Sequence, residues 1–178
     1  KGISSIEIED IKYANKLGYK IKLISESYID ENKIISVVEP KLVRKDSYLA
    51  NVKGVLNAIK IETDHLNSVV LEGEGAGGKA TASSIISDIY EISINNKLNS
   101  LGYKIDQLKE FNKFDVSNNL SPFYLRITAK DIPGVLAKIT SSLNDEGISI
   151  ETILQIPESN KAKESIPIII MTHDTTKN

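Results

Sequence analysis

The sequence predicts an α+β chain in which mixed or antiparallel sheet alternates with helices. Three observations lead there. Apolar residues recur at helical spacing in residues 6–17, 80–94 and 135–145, period-two alternation marks segments between them, and short polar turns join those segments in neighbouring pairs. No stretch repeats another and none is low in complexity. With 178 residues there is room for one medium domain or two small ones, and a core can form without disulfide staples.

The elements follow in order. Ile8, Ile11, Ala14 and Leu17 fall near helical spacing, and Gly18 stands where a helix commonly stops. Tyr19, Ile21 and Leu23 then alternate onto one face of a strand, Asp30-Glu31-Asn32 supplies turn chemistry, and residues 34–38 form a second strand. Residues 58–62 and 68–71 make another strand pair around the polar 63–67, which places His65 in a loop. A helix over 80–94 carries Ala82, Ile85, Ile86, Ile89 and Ile92 on one face. Residues 95–122 are polar, and their last part reads as a linker. Beyond it lie a strand at 123–129, the turn Asp131-Ile132-Pro133-Gly134, the helix over 135–145, and strands at 148–156 and 165–171.

Composition narrows the chemistry. There is no Cys and no Trp, and the two histidines, His65 and His173, are far apart. Thiolate catalysis, Cys-ligated metal and disulfides are therefore excluded, and a His-based metal site is not expected. Lysine and arginine total 22 against 24 acids, a net charge of −2, with no basic stripe of the kind nucleic acid requires. The longest apolar run, Ile168-Ile169-Ile170-Met171, is far short of the ~20 residues that span a bilayer. A soluble protein with neither nucleic-acid nor membrane partner is expected, and the absence of Cys is compatible with a cytoplasmic location. The start at Lys1-Gly2-Ile3, without Met or signal pattern, reads as a piece of something longer.

Gly73, Gly75 and Gly78 satisfy G-x-G-x-x-G between a strand and a helix, the context of a dinucleotide fingerprint. A Rossmann unit would continue with a parallel strand ending in an acid about 20 residues on; Asp106, the only candidate, lies late. Two other readings stay open. The glycines permit tight backbone approach and positive φ, or the turn presents N–H groups of a helix start to a ligand held mainly by another domain.

The run Gly73-Glu74-Gly75-Ala76-Gly77-Gly78-Lys79-Ala80-Thr81-Ala82-Ser83-Ser84 with Ser87-Asp88-Ile89 resembles the G-x-G-A-G…T-A-S…D-I signature of the homoserine dehydrogenase substrate domain. Leu17-Gly18-Tyr19-Lys20-Ile21-Lys22-Leu23, Glu39-Pro40, Leu49-Ala50-Asn51-Val52 and Gly54-Val55-Leu56-Asn57-Ala58 agree in order and spacing. The resemblance covers residues 1 to about 95 and implies NAD(P)-dependent interconversion of aspartate 4-semialdehyde and homoserine. It places the Rossmann domain and the catalytic lysine upstream, so no catalytic residue and no metal site is assigned here. Lys22 reads as a solvated or snorkelling side chain. Gly75, Ala76, Gly77 and Thr81 are the expected cofactor-facing residues, and the chain alone is expected to bind no cofactor.

Phe123-Tyr124-Leu125-Arg126-Ile127, Asp131 to Ile139 and Gly147-Ile148-Ser149-Ile150-Glu151…Gln155 resemble an ACT domain, a ferredoxin-like amino-acid-sensing module. The resemblance implies an effector site at Asp131, Pro133, Gly134, Val135, Leu136 and Gln155, with threonine as the effector. Pro133 and Gly134 set the turn into the helix, whose first N–H groups suit a carboxylate; Asp131 either caps that helix or meets an ammonium. Asp174-Thr175-Thr176 would cap a second helix, so the module is expected to be truncated. The divisions are 1–112 for the substrate and dimerisation domain, 113–121 for a linker and 122–178 for the partial ACT domain. The leading expectation is part of a dimeric oxidoreductase of threonine and methionine biosynthesis, inactive alone. The rival is a non-enzymatic ACT regulatory or scaffold protein.

Overall fold

The computed structural model describes residues 2–30, 32–94, 102–156 and 165–177. Lys1, Glu31 of the first turn, residues 95–101 at the start of the polar stretch, residues 157–164 and Asn178 lie outside the described residues.

Helix α1 (Ile8–Lys16) starts with a reciprocal capping box between Glu7 and Asp10 and gives way at Leu17 to Gly18, whose φ of +87° suits glycine. Its buried face is Asp10, Tyr13 and Ala14, whereas Ile8 and Ile11 are exposed. The expected apolar stripe is therefore rotated, because a carboxylate with partners on a distant strand turns inward. Strands β1 (Tyr19–Asp30) and β2 (Lys33–Arg44) pair antiparallel over their whole length, Tyr19 opposite Arg44 and Asp30 opposite Lys33. The second strand outruns the predicted 34–38 at both ends. The more covered face carries Lys20, Lys22, Ile24 and Glu26 rather than Tyr19, Ile21 and Leu23, and Leu23 is exposed. The lysines explain this inversion. Lys20 Nζ donates to the Ala50 carbonyl at 3.0 Å, and Lys22 Nζ donates to the Val52 carbonyl at 2.6 Å. Together they clasp the end of the single-turn helix α2 (Tyr48–Asn51) and bury Ala50.

Strands β3 (Leu56–Thr63) and β4 (Asn67–Glu74) form an antiparallel hairpin, with Asn67 at φ +59° where the tight turn needs it. Helix α3 (Gly78–Ser93) follows after the turn Gly75-Ala76-Gly77. Its apolar face, Ile85, Ile86, Ile89 and Ile92, is exposed rather than part of a core. No described element covers it.

The expected linker is structured at its start. Strand β5 (Asn112–Lys113) pairs parallel with β2, and the Phe114 N–H donates to the Ile34 carbonyl at 3.2 Å. A 3-10 turn, Val116–Asn118, is capped by Asp115, which accepts from the Ser117 N–H at 3.0 Å. The last unit is β6 (Tyr124–Lys130), α4 (Val135–Asp145), β7 (Ile150–Gln155) and β8 (Ser165–Thr172), a sheet ordered β6-β8-β7 with both pairings antiparallel. Residues 168–172 of the central strand are all buried, so both faces of β8 are covered. Thr175 does not cap a helix. It exchanges two 3.0 Å backbone hydrogen bonds with Ser121, so the chain after β8 runs beside the chain before β6.

One cluster centred on the buried Asp10 ties this unit to α1. The Asp10 carboxylate accepts from the Glu7 N–H at 2.9 Å, Tyr124 Oη at 3.0 Å and Arg126 Nε at 2.7 Å, while Arg126 Nη2 reaches Glu7 at 2.7 Å.

Candidate functional site

The expected site residues fall into two places. Gly75, Ala76 and Gly77 form the turn that releases β4 into α3. The Gly75 N–H donates to the Val55 carbonyl at 3.0 Å, extending the ladder one step beyond the strand. Gly77 is the residue before the helix at φ +124°, a conformation open to glycine and costly for other residues. The first helical bond runs from the Thr81 N–H to the Gly77 carbonyl at 3.0 Å, and Thr81 Oγ1 donates to the same oxygen at 3.0 Å. No side chain caps this end, which leaves the N–H groups of Gly78, Lys79 and Ala80 for a ligand or water. The donors fit the oxygens of an anionic or amide-bearing group such as a dinucleotide carries. Because β3 and β4 are antiparallel and Asp106 lies in a 3-10 turn, the Rossmann reading of the glycines fails.

The second place is a recess of about 320 Å³ at the start of α4. Asp131, Pro133, Gly134, Val135, Leu136 and Gln155 all line it, joined by Lys130, Ile132, Ile166 and Ile168. Gly134 enters the helix at φ +90°, in the left-handed region, and accepts the first helical bond from the Lys138 N–H at 3.0 Å. The helix start has no side-chain cap, so Asp131 does not cap it and its carboxylate is left to the recess. Gln155 closes the opposite side from the end of β7, where it pairs with Ile168 of β8. The recess thus offers a carboxylate, a lysine, the uncapped start of a helix, a carboxamide and an apolar floor.

Sequence reasoning missed the Asp10 cluster. Its signal was the three-residue spacing of Glu7 and Asp10, read only as part of a helix, together with a lone arginine on an apolar strand. Burial raises the Asp10 carboxyl, but the Glu7 N–H, Arg126 and Tyr124 outweigh it and hold the group below the ordinary carboxylate value. Burial, reinforced by Asp10, pushes the Tyr124 hydroxyl well above the ordinary tyrosine range. Lys22 is occupied by the Val52 carbonyl, which accounts for it as a structural clasp. Among the described residues no group of His, Asp and Glu is arranged to hold a metal ion, and no helix is long and apolar enough to cross a membrane.

Fold and sites together define an α+β segment with a glycine turn at a helix start, followed by a β-α-β-β unit with a recess at its own helix start. The homoserine dehydrogenase family model matches residues 1–90, and the ACT domain model matches residues 123–178. This chain belongs to the homoserine dehydrogenase family and carries an ACT domain. It is 35% identical to homoserine dehydrogenase of Pseudomonas aeruginosa, over 97% of this chain and 41% of that protein. It is likewise 35% identical to the Bacillus subtilis enzyme, over 99% of this chain and 41% of that one. The crystal structure of a homoserine dehydrogenase from Thiobacillus denitrificans superposes with a TM-score of 0.84 at 34% identity, over 98% of this chain and 40% of that chain. The chain thus spans about 41% of the curated relatives it matches.

Proposed function

We propose that this chain supplies the later part of the substrate domain and the regulatory module of an NAD(P)-dependent homoserine dehydrogenase. The whole enzyme interconverts aspartate 4-semialdehyde and homoserine in threonine and methionine biosynthesis. The observation that carries the reading is the superposition on a homoserine dehydrogenase over 98% of the chain. A bound nicotinamide dinucleotide supplies or accepts the hydride. This chain's part is to present the turn Gly75-Ala76-Gly77 and the start of α3 to that cofactor. The greater share of the cofactor surface and the proton-transfer lysine belong to residues outside this chain, so the chain alone is inactive.

The ACT recess takes an amino acid, threonine, as feedback effector. Asp131 meets the ammonium, the N–H groups at the start of α4 meet the carboxylate, and Gln155 meets the side chain. The whole enzyme is a cytoplasmic dimer; what supports the dimer is the outer edges of β6 and β7, which pair with no other strand among the described residues. The division at 112 and 122 separates the two functional units. The test is aspartate semialdehyde reduction by NADPH or NADH with the longer enzyme, with and without threonine. Turnover that threonine depresses, and that Gly134→Asp releases from threonine, is expected. Absence of turnover with either nucleotide refutes the enzymatic reading, and a threonine thermal shift that survives Gly134→Asp in a folded protein refutes the effector site.

A further inference from the structure

Two glycines of the G-x-G run do something other than cradle a phosphate. In the β3–β4 hairpin Asn57 stands directly opposite Gly73, and Gly75 lies two residues further along β4 on the same face. Neither position carries a side chain, so the strand offers a trough along that face. The Asn57 side chain leans into it. A Cβ built on Gly75 would overlap Asn57 Nδ2 and lie 2.5 Å from its Cγ, so the carboxamide occupies the space a side chain at 75 would need. Diagonal cross-strand neighbours are within reach of a polar side chain of this length. Asn57 is exposed, and its carboxamide donors and acceptor make no hydrogen bond within the described residues. The Gly75 backbone is fixed from the other strand by the Val55 carbonyl at 3.0 Å. A polar group thus lies against the α-carbon of the first residue of the turn, with its hydrogen-bonding capacity unspent.

The geometry points to Asn57 as a positioning residue for the cofactor turn, seated on Gly75 so that its carboxamide braces the turn and faces the same ligand. This inference rests on the cofactor reading of Gly75, Ala76, Gly77 and Thr81 proposed above. It predicts that Asn57 and Gly75 act as one unit. Because the atom in the way is the end of a flexible side chain, Gly75→Ala expels the carboxamide rather than unfolding the hairpin, and so it mimics Asn57→Ala. With both changes the remaining Asn57 Cβ would sit 3.3 Å from the new Cβ, a contact relieved by a few tenths of an ångström.

The experiment uses the longer enzyme and follows NADPH affinity by fluorescence titration, the KM values and kcat, and thermal unfolding. Asn57→Ala and Gly75→Ala are each expected to weaken NADPH binding by about 3- to 10-fold, the worth of an ordinary hydrogen bond. The double variant is expected to be no weaker than either single one, with KM for aspartate semialdehyde and the melting temperature near wild type. Asn57→Asp, which keeps the shape and adds a charge beside an anionic cofactor, is expected to weaken binding further and carries the test if Gly75→Ala folds poorly. Wild-type NADPH affinity in Asn57→Ala, or a double variant whose loss is the product of the two single losses, overturns the role of Asn57. Gly77→Ala and Thr81→Val separate the two levels. If they weaken NADPH and Asn57→Ala does not, only Asn57 is wrong; if none of the variants matters, the turn does not face the cofactor and the reading beneath it fails.

Discussion

Replacing Asp10 by Asn removes one charge from the cluster that joins α1 to the ACT sheet and leaves the shape almost unchanged. Asp10 is 5% exposed and accepts from the Glu7 N–H, Tyr124 Oη and Arg126 Nε. An asparagine offers one acceptor oxygen and one donor group, so a donor must face a donor. Removing one member of a fully buried ion pair costs about 3–5 kcal/mol. Arg126 keeps Glu7 at 2.7 Å and its side chain is 24% exposed, so solvent and the second acid soften the loss, and about 2–3 kcal/mol is the expected cost. For a chain of this size that lowers the melting temperature by about 4–12 °C. Arg126→Met should cost a similar amount, and the double variant should cost clearly less than the sum, because the two groups share one interaction.

The pH dependence gives a second handle on the same cluster. The Asp10 carboxyl is held below its ordinary value in the folded chain, so its contribution is fully present above the unfolded value of about 3.9 and is lost as pH falls through the lower folded value. The gap in stability between wild type and Asp10→Asn, read by urea unfolding, is therefore constant from pH 7 to 5 and closes below pH 4. A gap under about 0.5 kcal/mol at pH 7, additive single and double variants, or a gap that widens in acid would refute the reasoning.

Other outcomes follow from single contacts. Tyr124→Phe should cost about 1–2 kcal/mol in urea unfolding at neutral pH; since the folded hydroxyl titrates above the ordinary tyrosine range, that cost is present below the unfolded value near 10 and fades only as pH rises through the folded one. Lys22→Met should free the Val52 carbonyl, lower stability by about 1 kcal/mol and expose residues 52–55 to limited proteolysis, while Lys22→Arg should do so less. Ile86→Glu with Ile89→Glu changes side chains 65% and 58% exposed, so the melting temperature of this chain should stay within about 2 °C while its binding of a hydrophobic dye falls.

Element positions were legible wherever local chemistry decides them. Gly18 at the end of α1, Gly134 before α4 and the polar turn of the β3–β4 hairpin are decided by backbone conformation, and the predicted spans meet the observed ones within a few residues there. Faces were less legible, because a face is chosen by what lies across from it. Nothing between residues 6 and 17 says that Tyr124 and Arg126 will arrive to satisfy Asp10, so the apolar spacing of Ile8 and Ile11 pointed outward. The same holds for Lys20 and Lys22, whose stems lie on the covered face because α2 ends above them.

The two candidate sites differ for the same physical reason. The recess at α4 is built from one contiguous turn, Gln155 of β7 and Ile166 and Ile168 of β8, and a turn with Pro133 and Gly134 dictates its own geometry, so the six residues that the ACT resemblance implied line one cavity. The glycine run was ambiguous because a glycine records only that a side chain is missing, not what fills the gap. Gly77 is there for its backbone angle and Gly75 for the Asn57 carboxamide across the hairpin. Those are two different demands written with one residue type, and only the strand register tells them apart. A motif of spaced glycines therefore gains meaning from its cross-strand partner, which makes Asn57 the residue on which the cofactor reading of this turn can be tested.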